Sequence, residues 1–171
     1  MKKNIIVGQS GGPTAVINAS LYGVIREGLS RGDEIGKVYG MIHGIEGFMA
    51  GRVMELSALP SEELELLKLT PAAYLGSCRY KLPNYLDDDS PYVFIFKQFA
   101  DYNIEAFFYI GGNDSMDTIK KLSDYAIVKG HSQKFLGVPK TIDNDLALTD
   151  HTPGFGSAAK YIAASTKEII R

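Results

Sequence analysis

The sequence predicts an α/β fold, a doubly wound, mostly parallel sheet with helices on both faces. Two observations carry that prediction. Short apolar runs alternate along the 171-residue chain with longer segments whose apolar residues recur at helical spacing, and alternating β and α units build a parallel sheet flanked on both sides. Polar or glycine-rich loops also follow three of the apolar runs, where open α/β sheets hold their ligands.

Taken in order, residues 4–8 are a short apolar strand. Residues 14–29 place Ile17, Leu21, Val24 and Ile25 at helical spacing, and the run from Ser30 to Asp33 ends that helix. Residues 37–41 form a second strand. Residues 62–69 form a short amphipathic helix opened by Ser61 after Pro60. Residues 91–102 read as a helix and residues 106–110 as a buried strand. Residues 115–129 form a helix with Met116, Ile119 and Leu122 inward, and residues 135–138 form the next strand. Residues 156–171 form a last helix with Ala159, Ile162, Ala163, Thr166, Ile169 and Ile170 on one stripe. The polar loop 76–90 ends in Asp87, Asp88 and Asp89, a solvated run or turn.

The last helix carries no stop signal: its stripe runs to Ile170, and no glycine, proline or cap follows Arg171. The expectation is one donor-phosphate-binding domain over residues 1–171, the amino-terminal part of a longer polypeptide or the product of a shortened gene. The 45% apolar content and net charge of -2 suit one globular core. That charge argues against nucleic acid as the main partner, which favours a basic face. No run of about 18 apolar residues occurs, so no membrane span is expected. The apolar start stops at Gly8, too short for a signal peptide, and a cytoplasmic address is expected. Cys78 is the single cysteine, which leaves no internal disulfide and no cysteine-based zinc site. Arg79 beside it favours a thiolate, but a small buried thiol is the expected role. The histidines His43, His131 and His151 are scattered and expected in surface or loop positions, His43 in a glycine-rich loop that borders the donor site.

The chemistry concentrates in the loops. After the first strand come Gly8, Gln9, Ser10, Gly11, Gly12, Pro13 and Thr14. Glycines let backbone N–H groups approach an oxyanion, and a helix amino terminus adds partial positive charge. Neither the Walker pattern nor the dinucleotide fingerprint is present; read alone, the loop is equally a tight βα turn. After residues 106–110 come Gly111, Gly112, Asn113, Asp114 and Ser115. Here Ser115 is expected to cap the next helix, and Asp114 to bind Mg²⁺ directly or through water. Asp114 and Asp117 also favour a helix amino terminus electrostatically, whether or not a metal binds. After residues 135–138 come Pro139, Lys140, Thr141, Ile142, Asp143, Asn144 and Asp145. Two carboxylates beside one lysine suit a metal-bound phosphate better than a packed core. The plainer reading is an Asx turn bonding its own backbone. The convergence of all three loops on one crevice favours the phosphate reading. Residues 152–157 add a Pro/Gly turn before the last helix.

These residues together resemble the phosphofructokinase family: Gly11-Gly12 with Asn18, the run from Leu75 to Arg79, Gly111 to Ser115, and Thr141 to Asp145, in the family's order. The resemblance covers nearly the whole chain and about the first half of a typical member. Thr-Ile-Asp-Asn-Asp is its specific element; glycine pairs alone also occur in lipid and NAD kinases. Where ATP-using members have Gly-Gly-Asp-Gly-Ser, this chain has Asp114 in place of the third glycine. Where they have Pro-Gly-Thr, it has Lys140 in place of glycine. Both departures resemble the pyrophosphate-dependent branch. There the resemblance implies that the lysine contacts pyrophosphate and that both side chains obstruct the rest of ATP. A lysine supplies a point charge to phosphate, and a carboxylate where an α-phosphate belongs repels it.

The resemblance implies phosphoryl transfer from pyrophosphate to the 1-hydroxyl of fructose 6-phosphate, with Asp143 as general base and Thr141 placing the phosphoryl group or the sugar. Lys140, Arg79 and Mg²⁺ offset charge, Gly11, Gly12, Gly112 and Ser115 line the phosphate end, and Asn113, Asp114 and Asp145 serve the metal. The family's metal-site aspartate aligns with Asn113, so the metal role shifts toward Asp114 or Asp145, or runs through waters. The remainder that binds the sugar phosphate is expected after Arg171 and from a neighbouring subunit of a homo-oligomer, and this chain alone is expected to be inactive. The alternatives are an ATP-dependent 6-phosphofructokinase, a non-catalytic regulatory subunit of the family, and a generic α/β binding module.

Overall fold

A computed structural model describes residues 2–170; Met1 and Arg171, and with Arg171 the expected run-on of the last helix, lie outside the described residues. The elements in chain order are β1 (Lys3–Gln9), α1 (Ala15–Ser30), β2 (Ile35–Met41), α2 (Gly44–Met49), β3 (Val53–Glu55), a 3-10 turn (Leu56–Ala58), α3 (Ser61–Leu66), α4 (Ser90–Asp101), β4 (Ile104–Gly111), α5 (Asn113–Lys129), β5 (Lys134–Pro139) and α6 (Phe155–Ile169). They form a 5-stranded sheet in the order β3-β2-β1-β4-β5. All neighbours pair in parallel except the edge pair β2 and β3, which is antiparallel.

Strand β1 is central and buried on both faces. Ile5 and Val7 point to one side and Ile6 to the other, as the period of two requires. On the Ile6 side, α2, α4 and α5 pack over an aromatic core in which Phe99 meets Phe48 at 5.4 Å and Phe107 at 5.6 Å. On the other side α1 buries Ile17, Leu21 and Ile25, and α3 adds Leu64. Each such side chain, fully buried, contributes about 1.5–3 kcal/mol from apolar transfer. Gly137 lets α5 close on β5: a Cβ there would lie 2.4 Å from the Met116 sulfur.

The predicted strands and the helices α1, α4 and α5 are present with ends shifted by one or two residues. Four readings change. Elements α2 and β3 occupy a stretch with no predicted element. The helix expected over 62–69 stops at Leu66, beyond which Leu69 is exposed. Ser115 is not a cap: α5 starts at Asn113, Gly112 is its N-cap, and the Ser115 N–H donates to the Gly112 carbonyl at 3.0 Å. The stripe on α6 faces solvent, with Ile162 61% and Ile169 82% exposed. Among the described residues no helix is long and apolar enough to cross a membrane.

Candidate phosphate-binding site

The strand order places a switch point between β1 and β4, since the chain leaves β1 toward β2 on one side and β4 toward β5 on the other. Their carboxyl ends share one edge of the sheet, and the loops after β1, β4 and β5 enclose a cavity of about 710 Å³. Its lining brings together Gly11, Gly12, Arg79, Gly112, Asn113, Asp114, Ser115, Lys140, Thr141 and Asp143. A second hollow of about 520 Å³ lies beside α1 at the opposite ends of the strands, with a largely apolar lining. Its lining mixes three cations, Lys3, Arg31 and Lys134, with the carboxylates of Glu27, Glu34 and Glu105, and the glycine loops lie elsewhere.

The first loop is held open by its neighbours. Gly11 has φ +76°, a left-handed conformation natural to glycine. Its N–H donates to the Cys78 carbonyl at 3.2 Å, and its carbonyl accepts from the Ser77 hydroxyl at 2.5 Å. The Gly11 N–H is therefore already paired, contrary to the expectation that both glycines offer their amides. Gly12 borders open space, with nothing within 4 Å of where a Cβ would lie, and its N–H makes no hydrogen bond to the described residues.

The segment carrying Arg79 is fixed by a buried amide pair. The Gln9 side chain donates to Asn18 Oδ1 at 2.9 Å and to the Ile17 carbonyl at 3.1 Å, and accepts from the Leu75 N–H at 2.8 Å. Asn18 accepts from the Tyr74 N–H at 2.8 Å and donates to the Thr70 carbonyl at 2.9 Å. Asn18 thus orders the loop and does not line the cavity. Cys78 is buried beneath it as expected, its sulfur 3.5 Å from the Tyr109 hydroxyl. Burial pushes the Tyr109 hydroxyl's pKa well above the ordinary phenol value.

In the second loop, Gly111 makes room for helix α5, since a Cβ there would lie 2.0 Å from the Ser115 hydroxyl oxygen. Asp114 stands in the first turn of α5, 81% exposed, with its carboxylate 4.0 Å from the Lys81 ammonium. Asp117 turns aside to pair with Lys121 at 2.7 Å.

In the third loop, Lys140 is only 5% exposed, and its ammonium donates to the Gly12 carbonyl at 2.5 Å. Burial first, then the Arg79 charge, push its pKa below the ordinary lysine value, while Asp143 pulls it back up. The Asp143 N–H donates to Thr141 Oγ1 at 3.0 Å, which leaves the threonine O–H free to donate. Asn144, at φ 55°, accepts from the Thr152 N–H at 3.0 Å and donates to the Asp150 carbonyl at 3.1 Å. The turn around Thr152 therefore braces the third loop from behind, where Thr152 Oγ1 also donates to the Thr141 carbonyl at 3.2 Å. Asp145 lies outside the lining but accepts from the Asn113 amide at 3.2 Å.

Among the described residues no three carboxylate, histidine or cysteine side chains cluster to hold a metal alone. The oxygen donors at the mouth, Asp114, Asp143 and the Asn113–Asp145 pair, suit Mg²⁺ nonetheless. That ion takes one or two carboxylates and fills its shell with phosphate oxygens and water.

Two placements differ from expectation. His43 is not part of the lining; its ring covers Gly76, where a Cβ would lie 2.4 Å from Nδ1. Lys81, unremarked in the sequence, lines the cavity. Its signal was its nearness to Arg79, two residues before it in the same loop.

Comparison with known proteins shows the family. The family model described as Phosphofructokinase matches residues 4–171. A pyrophosphate–fructose 6-phosphate 1-phosphotransferase of Halomonas elongata is 46% identical over 96% of this chain, which covers 39% of that protein. The crystal structure of a pyrophosphate-dependent phosphofructokinase from Nitrosospira multiformis superposes with TM-score 0.90 and 41% identity, over 98% of this chain and 41% of that one. An ATP-dependent 6-phosphofructokinase of Streptococcus uberis is less alike, 33% identical over 91% of this chain and 42% of that protein. The chain thus spans about two fifths of the length of these relatives.

Proposed function

Because the chain belongs to the phosphofructokinase family, we propose that it forms the phosphoryl-donor half of a site that moves a phosphoryl group from pyrophosphate to the 1-hydroxyl of fructose 6-phosphate. The observation that carries the donor assignment is Lys140. Its ammonium reaches across the crevice floor to the Gly12 carbonyl, and no side chain of a glycine-bearing loop would supply that charge.

In this reading the sugar hydroxyl oxygen attacks the terminal phosphorus of pyrophosphate. Asp143 takes the hydroxyl proton, the bridging P–O bond breaks, and phosphate leaves. Phosphoryl transfer needs positioning and charge neutralisation more than covalent help. Lys140 and Arg79 place positive charge against the donor oxygens, and Thr141 directs its free O–H at the transferred group. Gly12 offers its N–H to the phosphate end, with Gly112 and Ser115 forming the wall behind it. Asp114 stands at the mouth, where it repels the longer phosphate chain of ATP. Mg²⁺ held by Asp114, Asp145 or the Asn113 carbonyl oxygen would supply further charge neutralisation. The sugar-phosphate half of the site, and the homo-oligomer that completes it, belong to the same proposal.

The test is phosphorylation of fructose 6-phosphate by the protein with Mg²⁺, offering pyrophosphate and ATP separately. Activity with pyrophosphate alone supports the assignment. ATP use alone overturns the donor, and no activity with either points to a regulatory subunit. Asp143→Ser is expected to lower kcat by about 10²–10⁴ with pyrophosphate binding intact, as loss of a general base does. An effect confined to KM overturns the role of Asp143.

A further inference from the structure

We propose that Lys81 is a second donor-binding cation, carried with Arg79 on one fixed arch. The inference deepens the pyrophosphate reading and rests on it.

The arch is tied at both ends. On one side the Cys78 carbonyl accepts from the Gly11 N–H at 3.2 Å and from the Ser10 hydroxyl at 3.4 Å. On the other, Leu82 is buried and its carbonyl accepts from the Lys121 ammonium at 2.9 Å, itself paired with Asp117 at 2.7 Å. Between these ties the chain has no room to wander. Tyr80 packs against the aromatic core and also lines the cavity, as do the exposed Arg79 and Lys81. Arg79 and Lys81 both line the same cavity, so the arch presents two cations toward one space.

A second cation at the mouth complements the one at the floor. At the floor, the Lys140 ammonium already gives one hydrogen bond to the Gly12 carbonyl. At the mouth, the Asp114 carboxylate would by itself repel any polyphosphate. Lys81 stands 4.0 Å from it and places a positive charge at the same mouth. Both side chains of the pair are 81% exposed. Such a pair is worth little by itself, so Lys81 gives up almost nothing when it turns to a phosphate oxygen.

The test is Lys81→Met in the protein, read two ways. In steady-state assay with pyrophosphate, KM rises about tenfold, the scale of one charge-assisted contact, and kcat changes little. Calorimetric titration with inorganic pyrophosphate shows the same loss, the remaining affinity falls less with added salt, and Lys81→Arg restores it. The melting temperature stays put, because the side chain buries nothing. Equal pyrophosphate binding by wild type and Lys81→Met overturns the role of Lys81 and leaves the proposed reaction standing. Activity of the wild type with ATP alone, with pyrophosphate titration still weakened in Lys81→Met, overturns the reaction and keeps the cation site. No pyrophosphate binding by the wild type overturns both.

Discussion

In the proposed reaction Lys140 is the residue on which donor choice turns, and its environment sets a pH dependence. The lysine is charged below its pKa and neutral above it. Burial and the Arg79 charge lower that pKa in the folded chain, so the ammonium is lost at lower pH than from an ordinary lysine. Attraction for an anionic donor should therefore weaken as pH rises through the lowered value, before the ordinary lysine value of about 10.4 is reached. Pyrophosphate affinity measured against pH should show that alkaline decline. Lys140→Arg should move it upward, because arginine stays charged, and Lys140→Met should remove it together with most of the affinity. A wild-type profile flat to the ordinary lysine value would show that Lys140 does not meet the donor. The importance of this lysine was legible in the sequence, as an ammonium beside two carboxylates after an apolar strand. Its burial was not, because the Gly12 carbonyl that holds it lies 128 residues away.

At the scale of elements, close approach governs how the second loop meets the crevice. Helix α5 begins where it does because Gly111 allows Ser115 to sit against the end of β4. In Gly111→Ala the new Cβ would lie 2.6 Å from the Ser115 Cβ, so a rotamer change alone cannot relieve the clash. The expected cost is about 1–3 kcal/mol, as for other overpacked sites, read as a lower melting temperature. Ser115→Gly in the same chain should recover part of it; no recovery would place the strain elsewhere. The elements that escaped sequence reading did so for physical reasons. Helix α2 spans 6 residues, contains Gly44 and Gly47, and follows His43 in a left-handed conformation. Propensity argues against a helix there, and burial of Ile45 and Phe48 overrides it. Strand β3 has 3 residues, too few to show alternation. The Ser115 cap failed because Gly112 holds extended backbone and starts the helix earlier, without a side-chain cap.

For the whole molecule, the two cores account for the sheet and most helices, while α6 contributes little to either. Its stripe of Ile162 and Ile169 is amphipathic in sequence yet exposed here, so periodicity located the helix without locating what it packs against. Replacing both by lysine in the 171-residue chain should change stability by no more than about 0.5 kcal/mol, the usual range for surface sites. Thermal melting checks this, and a large loss would mean that the stripe is buried in solution. The tie between Lys140 and Gly12 has a consequence in time as well as in space. It joins the two ends of a 128-residue interval, so the crevice floor cannot close until β5 has been synthesised and has paired with β4. Parallel pairing of strands distant in sequence, here Ile5 of β1 with Ala106 of β4, is slow. Chains released early from a ribosome therefore carry the first glycine loop without its cation, and anion capture becomes a late milestone of folding.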